Sequence, residues 1–219
     1  PGLLPYPQNT VDIWRTWCRE NGIGEIYLAY TQSFEAVDPS EYGFDAAVEF
    51  PPNNSALSRI DDSVTPLGPE LNSAIYDWRE LVVRSRNYAK LGYKLFRGVN
   101  PGWDNTARRK KNASILLHSS PVGYQEWLYN AVRDTQERMN NPDERLIFIN
   151  AWNEWAEGAH LEPDQRYGYA YLEASRVALC RNALPSPSRS GVLALVIHAY
   201  YEDVFEEIVA HIKNAQRFP

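Results

Sequence analysis

Along residues 120–132, SPVGYQEWLYNAV, apolar side chains fall at Tyr124, Trp127, Leu128, Ala131 and Val132, the spacing of a helix with one buried face. Ser120 and Pro121 supply its cap and first turn. The same spacing predicts a helix over Thr10 to Asn21, with Val11, Trp14, Trp17 and Cys18 on one face and Gly22 as its stop. Two more are predicted, one through Ile75, Trp78, Leu81, Val82 and Tyr88, the other from Tyr169 to Asn182. Between the helices lie short β-favouring runs: EIYLAY (25–30), AAVEF (46–50), YKLFRGV (93–99) and LIFINAW (146–152). Helices alternating with apolar strands predict a parallel α/β architecture. Four strands are too few to close a barrel, but match half of an eight-stranded one. PSPSRS, residues 185–190, reads as a turn-rich linker. Beyond it the strand-like GVLALVIHAY, and a helix with Val204, Ile208 and Ile212 on one face, open a second α/β unit. The expected organisation is therefore a first domain over 1–184, a linker over 185–190 and the start of another domain over 191–219.

Composition narrows the partners. The formal net charge is -6 and no run of five Lys or Arg occurs, so there is no electrostatic footprint for nucleic acid or an anionic membrane. A neutral or polar small molecule, or a glycan, suits the chain better. Cys18 and Cys180 stand far apart, which suggests neither a zinc site nor a disulfide framework and makes a reducing cytoplasm the default setting. The longest apolar stretch, VLALVIHAYY, is too short to span a bilayer. The signatures of dinucleotide-binding, P-loop, zincin and α/β-hydrolase sites are all missing, the four histidines are scattered, and no cofactor is expected.

Candidate chemistry centres on FINAWNEWAEGAHLEPD, residues 148–164. Its apolar run ends near Trp152, so Asn153 to Gly158 fall at the C-terminal end of a strand, where (β/α) barrels and open α/β sheets place their active sites. Glu154 and Glu157 would diverge on a strand but converge on a helix or tight loop. Two carboxylates, one neutral and one ionised, are the equipment for making or breaking a glycosidic bond. Trp152 and Trp155 offer platforms for sugar rings, and Asn153 a partner for a carboxylate or hydroxyl. The same pattern equally suits acidic residues placed at a helix start by the macrodipole, with the tryptophans as core. A second cluster, GVNPGWDNTARR, also follows a strand and brings Asn100, Trp103, Asp104, Asn105, Thr106, Arg108 and Arg109 to the same end. His160, Glu162 and Asp164 are further candidates, although Asp164 before a helix equally suits a cap.

FINAWNEWAEGAHLEPDQRYGYAYLEA, GFDAAVEFPP (43–52) and NPGWDNTARR (100–109) together resemble blocks of the WbsX-like family, glycosyltransferases of bacterial surface polysaccharide gene clusters. The likeness covers about residues 8–182. That family is similar to the endo-α-mannosidases of glycoside hydrolase family 99, (β/α)8 barrels whose N-E-W-x-E-G motif holds both catalytic carboxylates. The resemblance implies that Glu154 is a base acting on a sugar 2-hydroxyl and that Glu157 is the general acid/base at the bridging oxygen. Asn153, Trp155, Trp103, Asp104, Asn105, Arg108 and Glu162 would bind the sugar, without metal. Ala156 stands where those hydrolases commonly carry His, which sets substrate preference apart. The family's first barrel strands are absent, so the expectation is a chain that begins midway through a barrel and is inactive by itself. GVLALVIHAYYEDVFEEIVAHIKN resembles the opening of the rhamnan-synthesis F family. That points to glycosyl transfer in O-antigen or rhamnan-type polysaccharide biosynthesis, with peripheral association with membrane assembly machinery. Hydrolysis of the mannosidase type and glycan binding without turnover are the alternatives.

Overall fold

The computed structural model describes residues 4–65, 73–109 and 111–182. The chain divides into two units, 1–184 and 185–219, and the described residues all belong to the first. The expected linker and second α/β unit lie outside the described residues.

Helix α1 (Pro7–Glu20) starts on a proline, whose missing N–H would be unsatisfied there in any case. Four strands follow in one sheet: β1 (Ala29–Gln32), β2 (Ala46–Glu49), β4 (Leu95–Val99) and β7 (Ile147–Ile149). They lie side by side in that order and all run parallel, with Ala47 beside Leu95 and Val99 beside Ile149. A second sheet joins β3 (Ser73–Asp77) in parallel to β6 (Ala113–Leu117), with the short β5 (Trp103–Asp104) antiparallel on the other side of β6. Helix α2 (Arg79–Ser85) follows β3, α3 (Pro121–Arg138) connects β6 towards β7, and α4 (Ala170–Asn182) closes the described chain. The last two-stranded ribbon is β8 (Asn153–Glu154) with β9 (Ala159–His160).

The mixed α/β class with a parallel sheet agrees with the sequence reading, but several boundaries move: α1 starts at Pro7, and the run 146–152 narrows to Ile147–Ile149. Ile75 and Tyr76, expected on a helix, belong to β3, because five consecutive residues from Ser73 pair with Ala113 to Leu117 and cross-strand pairing outweighs local periodicity. The helix begins only at Arg79 and stops before Tyr88. The first strand also shifts, from 25–30 to Ala29–Gln32, where it finds its partners on β2.

Alternation along β4 turns its side chains to both faces of the sheet, and they join three apolar clusters. Phe96 faces Ala46, Val48 and Phe148, whereas Leu95 meets Tyr30 and Ala47, and Val99 joins the large cluster of Trp78, Tyr124, Trp127 and Leu128 under the helices. Between sheet and helices lies Arg97, with its side chain only 4% exposed. It pairs with Glu49 and Asp134 at 2.6 Å each, and its guanidinium lies 3.8 Å from the Tyr88 ring centroid. Asp134 also accepts from Arg138 at 2.8 Å. A buried cation is tolerated there because carboxylates meet it from both β2 and α3.

Candidate functional site

Strands β4 and β7 are neighbours, so the segments leaving their C-terminal ends start side by side, and the Asn150 N–H donates to the Val99 carbonyl at 2.9 Å. The first segment opens on Asn100, which is wholly buried. Its Oδ1 accepts from the Trp78 indole N–H at 3.1 Å and its amide nitrogen donates to the Gly102 carbonyl at 3.2 Å. After β5 comes one 3-10 turn, Asn105–Ala107, capped by the Asp104 carboxylate, which accepts from the Thr106 N–H at 3.0 Å. The second segment repeats this form. Following the cis Asn150–Ala151 peptide, β8 runs into a 3-10 turn at Trp155–Glu157, and the chain returns through β9.

Gly158 seats one segment on the other. It has φ 62°, in the left-handed region, and a Cβ built on it would stand 2.9 Å from the Asp104 backbone nitrogen. Gly158→Ala is therefore expected to cost about 1–2 kcal/mol, through left-handed strain and displacement of the Asp104 backbone. The measurement is a lowered melting temperature with unchanged secondary structure by circular dichroism.

Across that seat Arg108 forms an ion pair with Glu157. The Glu157 side chain is 14% exposed, whereas Glu154 lies open to solvent. Burial pushes the Glu157 carboxyl above the usual carboxylate range against the opposing charge of Arg108, and the nearby negative charge of Glu154 adds to the rise. Arg109 pulls the other way. One sheltered carboxyl with a raised pKa thus stands beside one exposed carboxyl.

Trp155 is half exposed and held at two points. Its indole N–H donates to Glu162 Oε2 at 2.6 Å, and its ring stacks on His160 with centroids 3.7 Å apart and planes 13° from parallel. Asn153 and Trp152 are exposed beside it. The predicted sugar-binding residues Trp103, Asp104, Asn105, Arg108 and Glu162 all have contacts within the protein. Trp103 is buried in the main core, and Asn105 is buried with its Oδ1 accepting from the Ser114 N–H at 2.7 Å. Asp164 accepts from the Tyr167 N–H at 2.5 Å and so holds the turn 164–168 ahead of α4, not the start of that helix at Ala170. Sequence reasoning missed the link from Trp78 to Asn100, which joins residues 22 apart and leaves no local signal. Among the described residues no group of His, Cys, Asp and Glu could hold a metal ion, and no helix is long and apolar enough to cross a membrane.

Among solved structures, a glycoside hydrolase-like protein shares the fold with a TM-score of 0.53 at 12% sequence identity, over 80% of this chain and 50% of its own. WxcX proteins from two strains of Xanthomonas campestris pv. campestris are 48% identical over 216 residues, which is 95% of this chain. The chain spans 30% of the length of those relatives. The family described as Glycosyltransferase WbsX matches residues 1–175, and the chain belongs to that family.

Proposed function

We propose that this chain carries the paired-glutamate portion of a glycosyl-transferring site used in bacterial surface polysaccharide assembly. The observation that carries the proposal is the asymmetric pair, Glu157 sheltered and drawn towards its neutral form by burial, Glu154 open to solvent. Membership of a glycosyltransferase family supports the reaction class. Four parallel strands in chain order are what half of a (β/α)8 barrel would supply, with the pair at its C-terminal mouth. A cytoplasmic setting beside membrane assembly machinery accompanies this reading.

In the proposed reaction Glu154 takes the proton of the donor sugar's 2-hydroxyl while that oxygen closes on the anomeric carbon. The bridging oxygen leaves with the Glu157 proton. An acceptor hydroxyl, giving its proton to Glu157, then opens the anhydro-sugar, and the 2-oxygen recovers its proton from Glu154. Water in place of the acceptor gives hydrolysis, a second reading favoured by the glycoside hydrolase-like structural neighbour.

The test is full-length protein assayed with nucleotide sugars and lipid-linked acceptors, and in parallel with aryl glycosides and mannans. Coupled product from the first set is expected, and free sugar from the second set alone would establish hydrolysis instead. Turnover should fall as pH rises through the raised Glu157 pKa, because the proton donor is then lost. Arg108 opposes that rise, so Arg108→Met should move the alkaline limb to higher pH. A limb that stays in place or moves down would separate Glu157 from the titrating acid.

A further inference from the structure

Asn150 does more than open the second segment. In the sheet order β1-β2-β4-β7, β7 neighbours β4 and not β2. Yet the Asn150 side-chain amide donates to the Pro51 carbonyl, just past the end of β2, at 2.9 Å. That bond joins residues 99 apart and passes over the strand between them. Gly98 makes the reach possible. It pairs with Phe148, and alternation puts residues 98 and 150 on one face of the sheet. A Cβ built on Gly98 would stand 2.3 Å from the Glu49 carbonyl oxygen and 2.8 Å from Pro51 Cδ. The chain leaving β2 therefore lies where any other residue at 98 would put its side chain, and the buried Pro51 comes within range of Asn150. Since the Asn150 N–H also donates to the Val99 carbonyl, the exits of β2, β4 and β7 are tied at one residue.

The backbone bond to Val99 is open to any residue, so only the side chain ties β7 to β2. Alanine has no donor to offer, and an ionised aspartate would set acceptors against a carbonyl oxygen. Either change leaves the second segment attached to the first through Val99 and through Arg108 and Glu157, but free to shift against the exit of β2. A displacement of about 1 Å from a change outside the chemistry can cost on the order of 10²-fold in rate. We infer that Asn150 is a positioning residue, which clasps the exit of β2 to the segment carrying Glu154 and Glu157. Its part in a reaction rests on the function proposed above, but the clasp itself does not.

The experiment compares Asn150→Ala and Asn150→Asp in full-length protein with Asn130→Ala. The last removes a similar amide bond, from Asn130 to Ser85 Oγ at 2.9 Å between α3 and α2, away from the strand exits. In both Asn150 variants kcat is expected to fall about tenfold or more, with KM changed by no more than about threefold. The loss should be equal on basic and activated leaving groups, because the base Glu154 is displaced together with Glu157. The alkaline limb of the pH profile should stay in place, since the contact of Glu157 with Arg108 does not pass through Asn150. Asn130→Ala should lower the melting temperature to a similar extent and leave kcat unchanged. By hydrogen exchange, residues 49–54 and 150–158 should open together in the Asn150 variants and stay protected in Asn130→Ala. Unchanged kcat in a folded Asn150→Ala protein, a loss matched by Asn130→Ala, a loss that depends on the leaving group, or a shifted limb would each remove the positioning role. A parent without turnover would sink the proposed reaction alone. Exchange then decides the clasp, and two segments that open separately or not at all would overturn it.

Discussion

Glu157→Ala in the full-length protein is expected to lower turnover of a substrate with a basic leaving oxygen by about 10²- to 10⁴-fold, and turnover of an activated aryl substrate much less. The asymmetry follows from what a general acid supplies. A basic oxygen cannot depart without a proton, whereas a good leaving group needs none. Under the proposed reaction Glu157 takes this role: its side chain is sheltered from water, and burial pushes its carboxyl above the usual carboxylate range. Glu157→Gln, which keeps the shape and loses the proton, should behave the same way. Equal losses on both substrates, measured as kcat/KM, would show that Glu157 positions the sugar and does not deliver a proton.

The second large effect is expected in the main core. Trp78 is fully buried in the main core, packed with its ring centroid 5.7 Å from that of Trp127 and closely against Gly123. Trp78→Ala should cost about 3–5 kcal/mol through the cavity it leaves, seen as a melting temperature lower by on the order of 10 °C. It also strips the buried Asn100 Oδ1 of its donor. Trp78→Phe keeps one aromatic ring and a smaller cavity while still removing the N–H, a loss of about 1–3 kcal/mol for the unpaired Asn100 Oδ1. Because Asn100 opens the segment that carries Arg108, the phenylalanine protein should lose activity in excess of its loss of stability. Activity unchanged at a temperature where it is fully folded would show that the Asn100 contact serves stability alone.

Strand ends are the most legible part of this chain. The apolar runs through Val99 and Ile149 stop where turn-forming and charged residues begin, and both clusters of candidate residues lie past those ends, as the sequence implies. The pairing of β3 with β6 is not legible, because Ile75 and Trp78 satisfy a helical repeat and the partner strand, Ala113 to Leu117, is distant in sequence. Residue type also says little about direction. Trp103 and Trp155 look alike beside acidic neighbours, yet β5 turns the first into the core and the 3-10 turn leaves the second half exposed. Burial and the contact with Arg108, 49 residues away, distinguish the two glutamates by environment, and neither is visible in residue type.

The seat at Gly158 has a consequence for any attempt to redesign specificity. Because the Asp104 backbone occupies the place of a side chain there, neither segment is an independent module. Exchanging one for a homologous sequence while keeping the other would set a foreign backbone against an unchanged partner. Swaps between relatives should therefore transplant residues 100–109 and 150–164 together, and length changes belong at the exposed tips, away from Gly102 to Asp104 and Gly158.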